Sequence, residues 1–229
     1  MSPFALPLAS DPNALLRWEY VTGQWDEIQA ALITHLELTV YTVLIGLVIA
    51  AGLSALALRY GWATGPITGF TGFLYTIPSV ALFGILTPYT GYSKVTALVA
   101  LVAYSLLILF TNIVAGFRSV PPAVIDAANG MGMSRWRRLY SVELPLALPY
   151  IITRLRIAPV TTLGIVTVAS IIGQGGLGNL ILDGLRRTYW SPMVVGSVLS
   201  VLLALVLDLL IFLVGRRLTP WARTRKWAS

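Results

Sequence analysis

Five mostly apolar stretches, separated by shorter polar segments, set the pattern of the chain. They cover about 28–58, 66–86, 94–116, 151–172 and 192–215. Each has at least ~20 residues, enough to cross ~30 Å of hydrocarbon at ~1.5 Å per helical residue. The runs are far longer than the ~10 residues of a barrel strand and do not alternate. The pattern therefore predicts an all-α membrane protein of about five transmembrane helices. The second stretch is the weakest, because Gly65, Gly69, Gly72, Pro78 and Gly84 interrupt it. Pro78 is expected to kink it and Pro88 to end it.

Composition agrees with this pattern. The chain has 229 residues, of which 57% are hydrophobic and 11% charged. A soluble domain carries about 25% charged residues. The length accommodates one domain of five or six helices with short loops. Residues 1–27 read as a polar, extracytoplasmic lead-in, since Asp11, Glu19, Asp26 and Glu27 are acidic and Pro3, Pro7 and Pro12 interrupt the only apolar run. They lack the basic start of a cleaved signal, and a partial helix is expected near Leu15–Tyr20. The chain has no cysteine and one histidine, so neither a disulfide nor a thiolate or multi-histidine metal site is expected.

The net charge is +7. Its basic residues are scattered between apolar spans, which speaks for topology and against nucleic-acid binding. With the N-terminus outside, the inner loops hold Arg59, Arg118, Arg135, Arg137, Arg138, Arg154, Arg156, Arg216, Arg217, Arg223, Arg225 and Lys226. The outer side keeps Arg17, Lys94, Arg186 and Arg187. The positive-inside rule then predicts N-out and C-in, with 28–215 as the membrane domain, 117–150 as a cytoplasmic loop and 216–229 as a basic cytoplasmic tail.

The loop from Pro121 to Pro149 is too polar to span. Pro121 and Pro122 can start a helix, and Asp126 is expected early in it, where a negative charge suits the dipole. Val124, Ala127, Ala128 and Met131 fall at helical spacing and predict one small apolar face, with Asp126 and Asn129 off it. Gly130 and Gly132 loosen its end, and Ser134 can cap a second, basic helix over 135–142. Two readings fit: a loop whose arginines only set topology, or a helix that offers a small apolar face to a partner's groove.

The run "DAANGMGMSRWRRLYSVELPLALP" resembles the cytoplasmic loop of bacterial ABC importer permeases, in which Glu-Ala-Ala is followed two places later by glycine and the motif closes on Leu-Pro. Asp126, Ala127, Ala128 and Gly130 match in order, with Asp in place of Glu, and Leu144 and Pro145 close the motif. With "TIPSVALFGIL" before it and "IIGQGGLG" after it, the chain looks like the quaternary-amine subgroup, permeases for glycine betaine, carnitine, choline or proline betaine. The resemblance covers about 32–219 and implies a type I ABC importer permease fold with a coupling helix at about 122–133, between spans 3 and 4. Val124, Asp126, Ala127, Ala128, Asn129, Gly130, Met131, Gly132, Met133 and Arg135 are then the coupling residues. It also implies two cytoplasmic ATPase subunits, a second permease subunit and an extracytoplasmic binding protein, in a bacterial plasma (inner) membrane. ATP and Mg would sit on the ATPase, leaving this chain without a cofactor and without catalysis of its own. Asn129 stands where a basic residue is usual in the family. Together with Asp126, this departure suggests one of two unlike permeases that contact the ATPase unequally.

"GQGGLGN" is not a phosphate loop, having neither a preceding strand nor a following Gly-Lys-Ser/Thr. Gly173, Gly175, Gly176 and Gly178 read either as a tight helix-ending turn or as part of an outer gate or a binding-protein contact. Asp208 lies inside the fifth span, about two turns from Arg216, and reads as a structural ion pair or packing hydrogen bond more than as a transport site. His35 and Glu37 open the first span near its outer end. Aromatic faces commonly hold quaternary ammonium groups, and Tyr75, with Pro78 beside it, is read as lining the pathway or gate. A methionine-type permease, a stand-alone secondary transporter and a membrane scaffold are the competing readings. The scarcity of intramembrane ionisable groups and of a visible inverted repeat weighs against the second.

Overall fold

The apolar spacing becomes helix almost throughout residues 15–222, the part described by the computed structural model. Residues 1–14 of the lead-in and 223–229 of the tail, with Arg223, Arg225 and Lys226, lie outside the described residues. The elements are α1 (Trp18–Gly23), α2 (Trp25–Arg59), α3 (Thr64–Thr76), α4 (Ser79–Thr90), α5 (Lys94–Arg118) and α6 (Pro122–Gly130). There follow α7 (Arg135–Arg138), a wider π-turn (Leu139–Glu143), α8 (Leu144–Leu155), α9 (Ile157–Val168), α10 (Leu177–Arg187) and α11 (Trp190–Leu218).

Among the described residues four segments are long and apolar enough to cross a bilayer: Trp25–Arg59, Lys94–Arg118, Arg135–Ile172 and Trp190–Leu218. The bent pair Gly61–Thr76 and Ser79–Thr90 makes a fifth if it counts as one span. The expected second span is thus an interrupted pair that begins at Gly61. Pro78 does not kink a continuous helix; it sits at the N-cap of α4, where its missing N–H costs nothing. Pro88 lies within α4 and does not end it. Gly91 ends it, at φ 69°. The expected lead-in helix is α1, and α2 starts at Trp25, so His35 lies about three turns inside it.

Contacts divide the chain into two units. One comprises residues up to Thr42, Ile77–Leu101 and Thr162–Leu205. Its apolar centre is Ile28, Leu177 and Leu180, with Leu32, Leu199 and Leu203 packed against them. Here α10 buries Leu177, Gly178, Leu180 and Gly184 and leaves Arg186 and Arg187 in its last turn exposed.

The other unit comprises Val43–Thr76, Val102–Thr161 and the chain from Val206. Its core is a stripe of α5, Val102, Leu106, Leu109, Phe110 and Ile113, against Ala50 and Ala57 of α2 and Ala147 and Ile151 of α8. Helix α8 is gripped on two sides. A methyl group at Gly116 would collide with Ile151, and one at Gly215 would lie 2.5 Å from Ile152. Small residues let helix backbones approach closely in this way.

Pro149 lies within α8 and cannot donate to the carbonyl four residues back, that of Pro145. The indole Nε1–H of Trp221 donates to this carbonyl at 3.0 Å, so a residue beyond α11 supplies the donor that proline removed. Losing a hydrogen bond of this kind costs about 1 kcal/mol. Trp221→Phe is expected to lower the thermal midpoint of the purified protein by roughly 2–4 °C. In a Pro149→Ala background, where the backbone N–H returns, the same change is expected to cost nothing measurable.

Candidate functional site: the loop helix and the glycine turn

Pro121 holds extended backbone (φ −60°, ψ 133°) and Pro122 opens α6. Asp126 falls in the second turn, beyond the first-turn positions where the helix dipole acts most strongly. The expected single apolar stripe is split. Ala128 is 1% exposed, and Val124 and Ile125 are half-buried, with Ile125 packed on the unit's core. Asp126, Ala127, Asn129, Gly130 and Met131 are exposed. Neighbouring residues sit ~100° apart around a helix, so Ala127 and Ala128 cannot share a face fully. One alanine therefore seats α6 on its own subunit and the other is left open.

The helix ends in a Schellman turn. The Met133 N–H donates to the Ala128 carbonyl at 3.2 Å and the Gly132 N–H to the Asn129 carbonyl at 2.9 Å. Gly132 stands at φ 70°, a conformation that suits glycine. Ser134 caps α7, its hydroxyl accepting from the Arg137 N–H at 3.4 Å. The expected helix over 135–142 is shorter than predicted: α7 is one turn that widens into the π-turn before Leu144 and Pro145 open α8. Arg135 is exposed, Met133 is half-buried, and Trp136 and Tyr140 stack with ring centroids 6.1 Å apart.

Arg138 was expected only to set topology. Its Nε donates to Glu143 Oε1 at 2.6 Å, and its Nη1 donates to Asn129 Oδ1. A guanidinium thus occupies the surroundings of Asn129, supplied from α7 and not from α6.

The glycine turn is built in the other unit. Gly173, at φ 74°, ends the preceding helical turn with a second Schellman pair: the Gln174 N–H reaches the Ala169 carbonyl at 3.0 Å and the Gly173 N–H the Ser170 carbonyl at 2.9 Å. Gly176, at φ 54° and ψ −118°, precedes α10. A Cβ there would lie 2.7 Å from the His35 N and 2.8 Å from the Ala31 carbonyl oxygen. At Gly175 it would lie 2.5 Å from the Ser170 N, and at Gly178 it would collide with the Thr167 carbonyl. Backbone fills the space that side chains would need.

Three residues other than its glycines hold this turn, and one of them, His35, lies outside the stretch "GQGGLGN". Asn179 Oδ1 accepts from the Gly175 N–H at 3.0 Å and its Nδ2 donates to the Gly173 carbonyl at 3.1 Å. His35, fully buried, places Nδ1 3.1 Å from the Gly175 carbonyl, which fixes Nδ1 as the protonated nitrogen. Gln174 Nε2 donates to the Tyr92 carbonyl at 3.3 Å. An asparagine just after a glycine-rich turn is a readable signal, whereas His35 is distant in sequence.

Asp208 of α11 pairs with Arg156, not with Arg216. Arg156 Nε donates to Oδ1 at 2.8 Å and Nη2 donates to Oδ2, a bidentate fork. Arg156 therefore belongs to the α8–α9 junction instead of a loop. The guanidiniums of Arg156 and Arg216 both lie against the Phe212 ring, 5.0 and 5.6 Å from its centre. Glu37 pairs with Lys94 at 3.0 Å. Tyr75 meets buried Tyr104 edge-on, with centroids 5.9 Å apart. Pro78 and Tyr75 are close in sequence, but the break before α4 separates their helices.

The family model described as "Binding-protein-dependent transport system inner membrane component" matches residues 42–220. The osmoprotectant import permease protein OsmW of Salmonella typhimurium is 37% identical over 191 residues, 81% of this chain and 89% of its own length. The glycine betaine/carnitine/choline transport system permease protein OpuCB of Bacillus subtilis is 33% identical over 186 residues, 81% of this chain and 86% of its own. A solved structure of the MetNI methionine ABC transporter in inward-facing form is similar with a TM-score of 0.71 at 20% identity, covering 87% of this chain and 96% of its own.

Gly176→Ala tests the turn. Strained backbone costs on the order of 1–3 kcal/mol before any collision is counted. The substitution is expected to lower the thermal midpoint by roughly 5–10 °C in a chain of this size. Gly164→Ala, where the added methyl meets nothing within 4 Å, is the control.

Proposed function

The chain belongs to the family of binding-protein-dependent transport system inner membrane components, and from that premise we propose that it is the permease of an ATP-driven, binding-protein-dependent importer for a compatible solute such as glycine betaine, carnitine, choline or proline. One finding carries the solute class: relatives matching 81% of the chain are named as permeases for osmoprotectants, glycine betaine, carnitine and choline. The likeness to a methionine transporter is one of fold at 20% identity and does not bear on the solute.

In this reading α6 is the coupling helix. Asp126, Ala127, Gly130 and Met131 face a cleft of a cytoplasmic ATPase, and small side chains at Ala127 and Gly130 allow close approach. Ala128, Val124 and Ile125 attach the helix to this subunit. Two ATPase copies hold ATP and Mg, a second permease subunit completes the pathway and an extracytoplasmic binding protein delivers solute. ATP-driven closure of the ATPase pair moves α6 and turns the cavity outward, and hydrolysis resets it, a rigid-body switch between two arrangements. The reading places the loop in the cytoplasm and the glycine turn at the outer face of a bacterial inner membrane, where its backbone-filled packing suits a gate that moves as one piece. Tyr75 and Pro78 remain the pathway candidates, and Asp208 is structural.

Labelled glycine betaine uptake into proteoliposomes holding this chain, its partner subunits and the binding protein tests the reading. Uptake is expected only with internal ATP, and Ala127→Trp is expected to reduce it on the order of tenfold or more while the protein stays folded. Uptake without ATP would sink the importer reading. ATPase stimulation by another solute alone would keep the mechanism and discard the solute class.

A further inference from the structure

We propose that Arg138 is a positioning residue that carries displacement of α6 into α8. The inference rests on the reading of α6 as the coupling helix. The chain between the two helices runs through α7 and the π-turn and begins with the turn from Met131 to Ser134, where a Cβ at Gly132, or at Gly130 just before it, would meet nothing within 4 Å. Backbone hydrogen bonds close that turn, but no glycine side chain braces it. The π-turn at Leu139–Glu143 is a second place where the helical path can shift, and such turns recur at functional sites.

Arg138 spans both weak points. One guanidinium holds Asn129 in the last turn of α6 and Glu143, the residue directly before α8. The Arg138 and Glu143 side chains are 23% and 18% exposed, so water screens this pair less than an exposed one. Arginine can do this because its planar fork presents several donors in fixed directions; a lysine ammonium on a flexible stem does not. Leu144 and Pro145 follow at once, and the Pro145 carbonyl is itself held by Trp221. A displacement of the Asn129 end of α6 therefore reaches the start of α8 through two polar contacts, both made by Arg138. Ile125, packed on the core, and the buried Ala128 seat the inner face of α6, and this bridge holds the exposed Asn129.

The test is the ratio of solute imported to ATP hydrolysed, in the complete transporter in proteoliposomes. A defect in folding lowers both quantities together, whereas loss of transmission lowers the ratio. Arg138→Ala is expected to keep ATP hydrolysis within about twofold and to lower the ratio on the order of five- to tenfold. Asn129→Leu, which removes one arm of the bridge and breaks no ion pair, is expected to lower the ratio in the same direction. Asn129→Asp, which keeps an acceptor for Arg138, is expected to preserve it. Unchanged ratios in Arg138→Ala and Asn129→Leu, or an equal loss in Asn129→Leu and Asn129→Asp, would overturn the proposal. Wild-type transporter that imports without ATP would instead defeat the coupling reading on which it rests, so the two failures are distinguishable.

Discussion

A break in a helix leaves backbone carbonyls without their helical donors, and each needs another partner. Much of what distinguishes this chain follows from that constraint. Pro149 takes a donor from Pro145, and Trp221 returns one. The helix before Gly173 ends, and its carbonyls are met by Gln174 and Gly173 while Asn179 and His35 bond the turn itself. Hydroxyls inside helices satisfy themselves on the same backbone, as where Thr39 donates to the His35 carbonyl at 2.8 Å and Thr153 to that of Pro149 at 2.7 Å. The interruptions at Pro149 and at the glycine turn are each met by a named neighbour, so they hold defined shapes.

The loop between α5 and α8 obeys a different rule. Its helix is short, nine residues, and helices of that length are marginal in water unless packing supports them. Packing comes from Ile125 and Ala128 on one side, and the other side is kept small. A helix that is anchored on one face and bare on the other can take up a partner without losing its seat. Arg138 then ties the exposed Asn129 of this helix to Glu143, directly before α8.

Apolar runs at helical spacing made the long spans readable, since length and lack of alternation leave few other structures. Positions of breaks were less readable. Proline acts by context: Pro78 caps a helix and Pro88 is carried inside one, and only tertiary support decides between these. The loop motif announced α6, but not which alanine faces inward, because the pattern at Val124, Ala127, Ala128 and Met131 fits a stripe rotated by one residue equally well. Pairings across the sequence were the least visible. Asp208 meets Arg156, 52 residues away, although Arg216 lies nearer along its own helix, and His35 reaches Gly175 across 140 residues. Arg138 looked like one basic residue among several because its two partners are recognisable only once the π-turn folds the chain back on α6.

The central claim is that α6 has one face for its own subunit and one for a motor. The chain has no cysteine, so single cysteines can report it directly. The decisive measurement is maleimide labelling of Ala127→Cys and Ala128→Cys in membranes, with and without the ATPase subunit bound. The account predicts that Cys at 127 labels readily alone and is protected when the ATPase binds, while Cys at 128 labels slowly in both states. Equal labelling of 127 with and without the ATPase would contradict it.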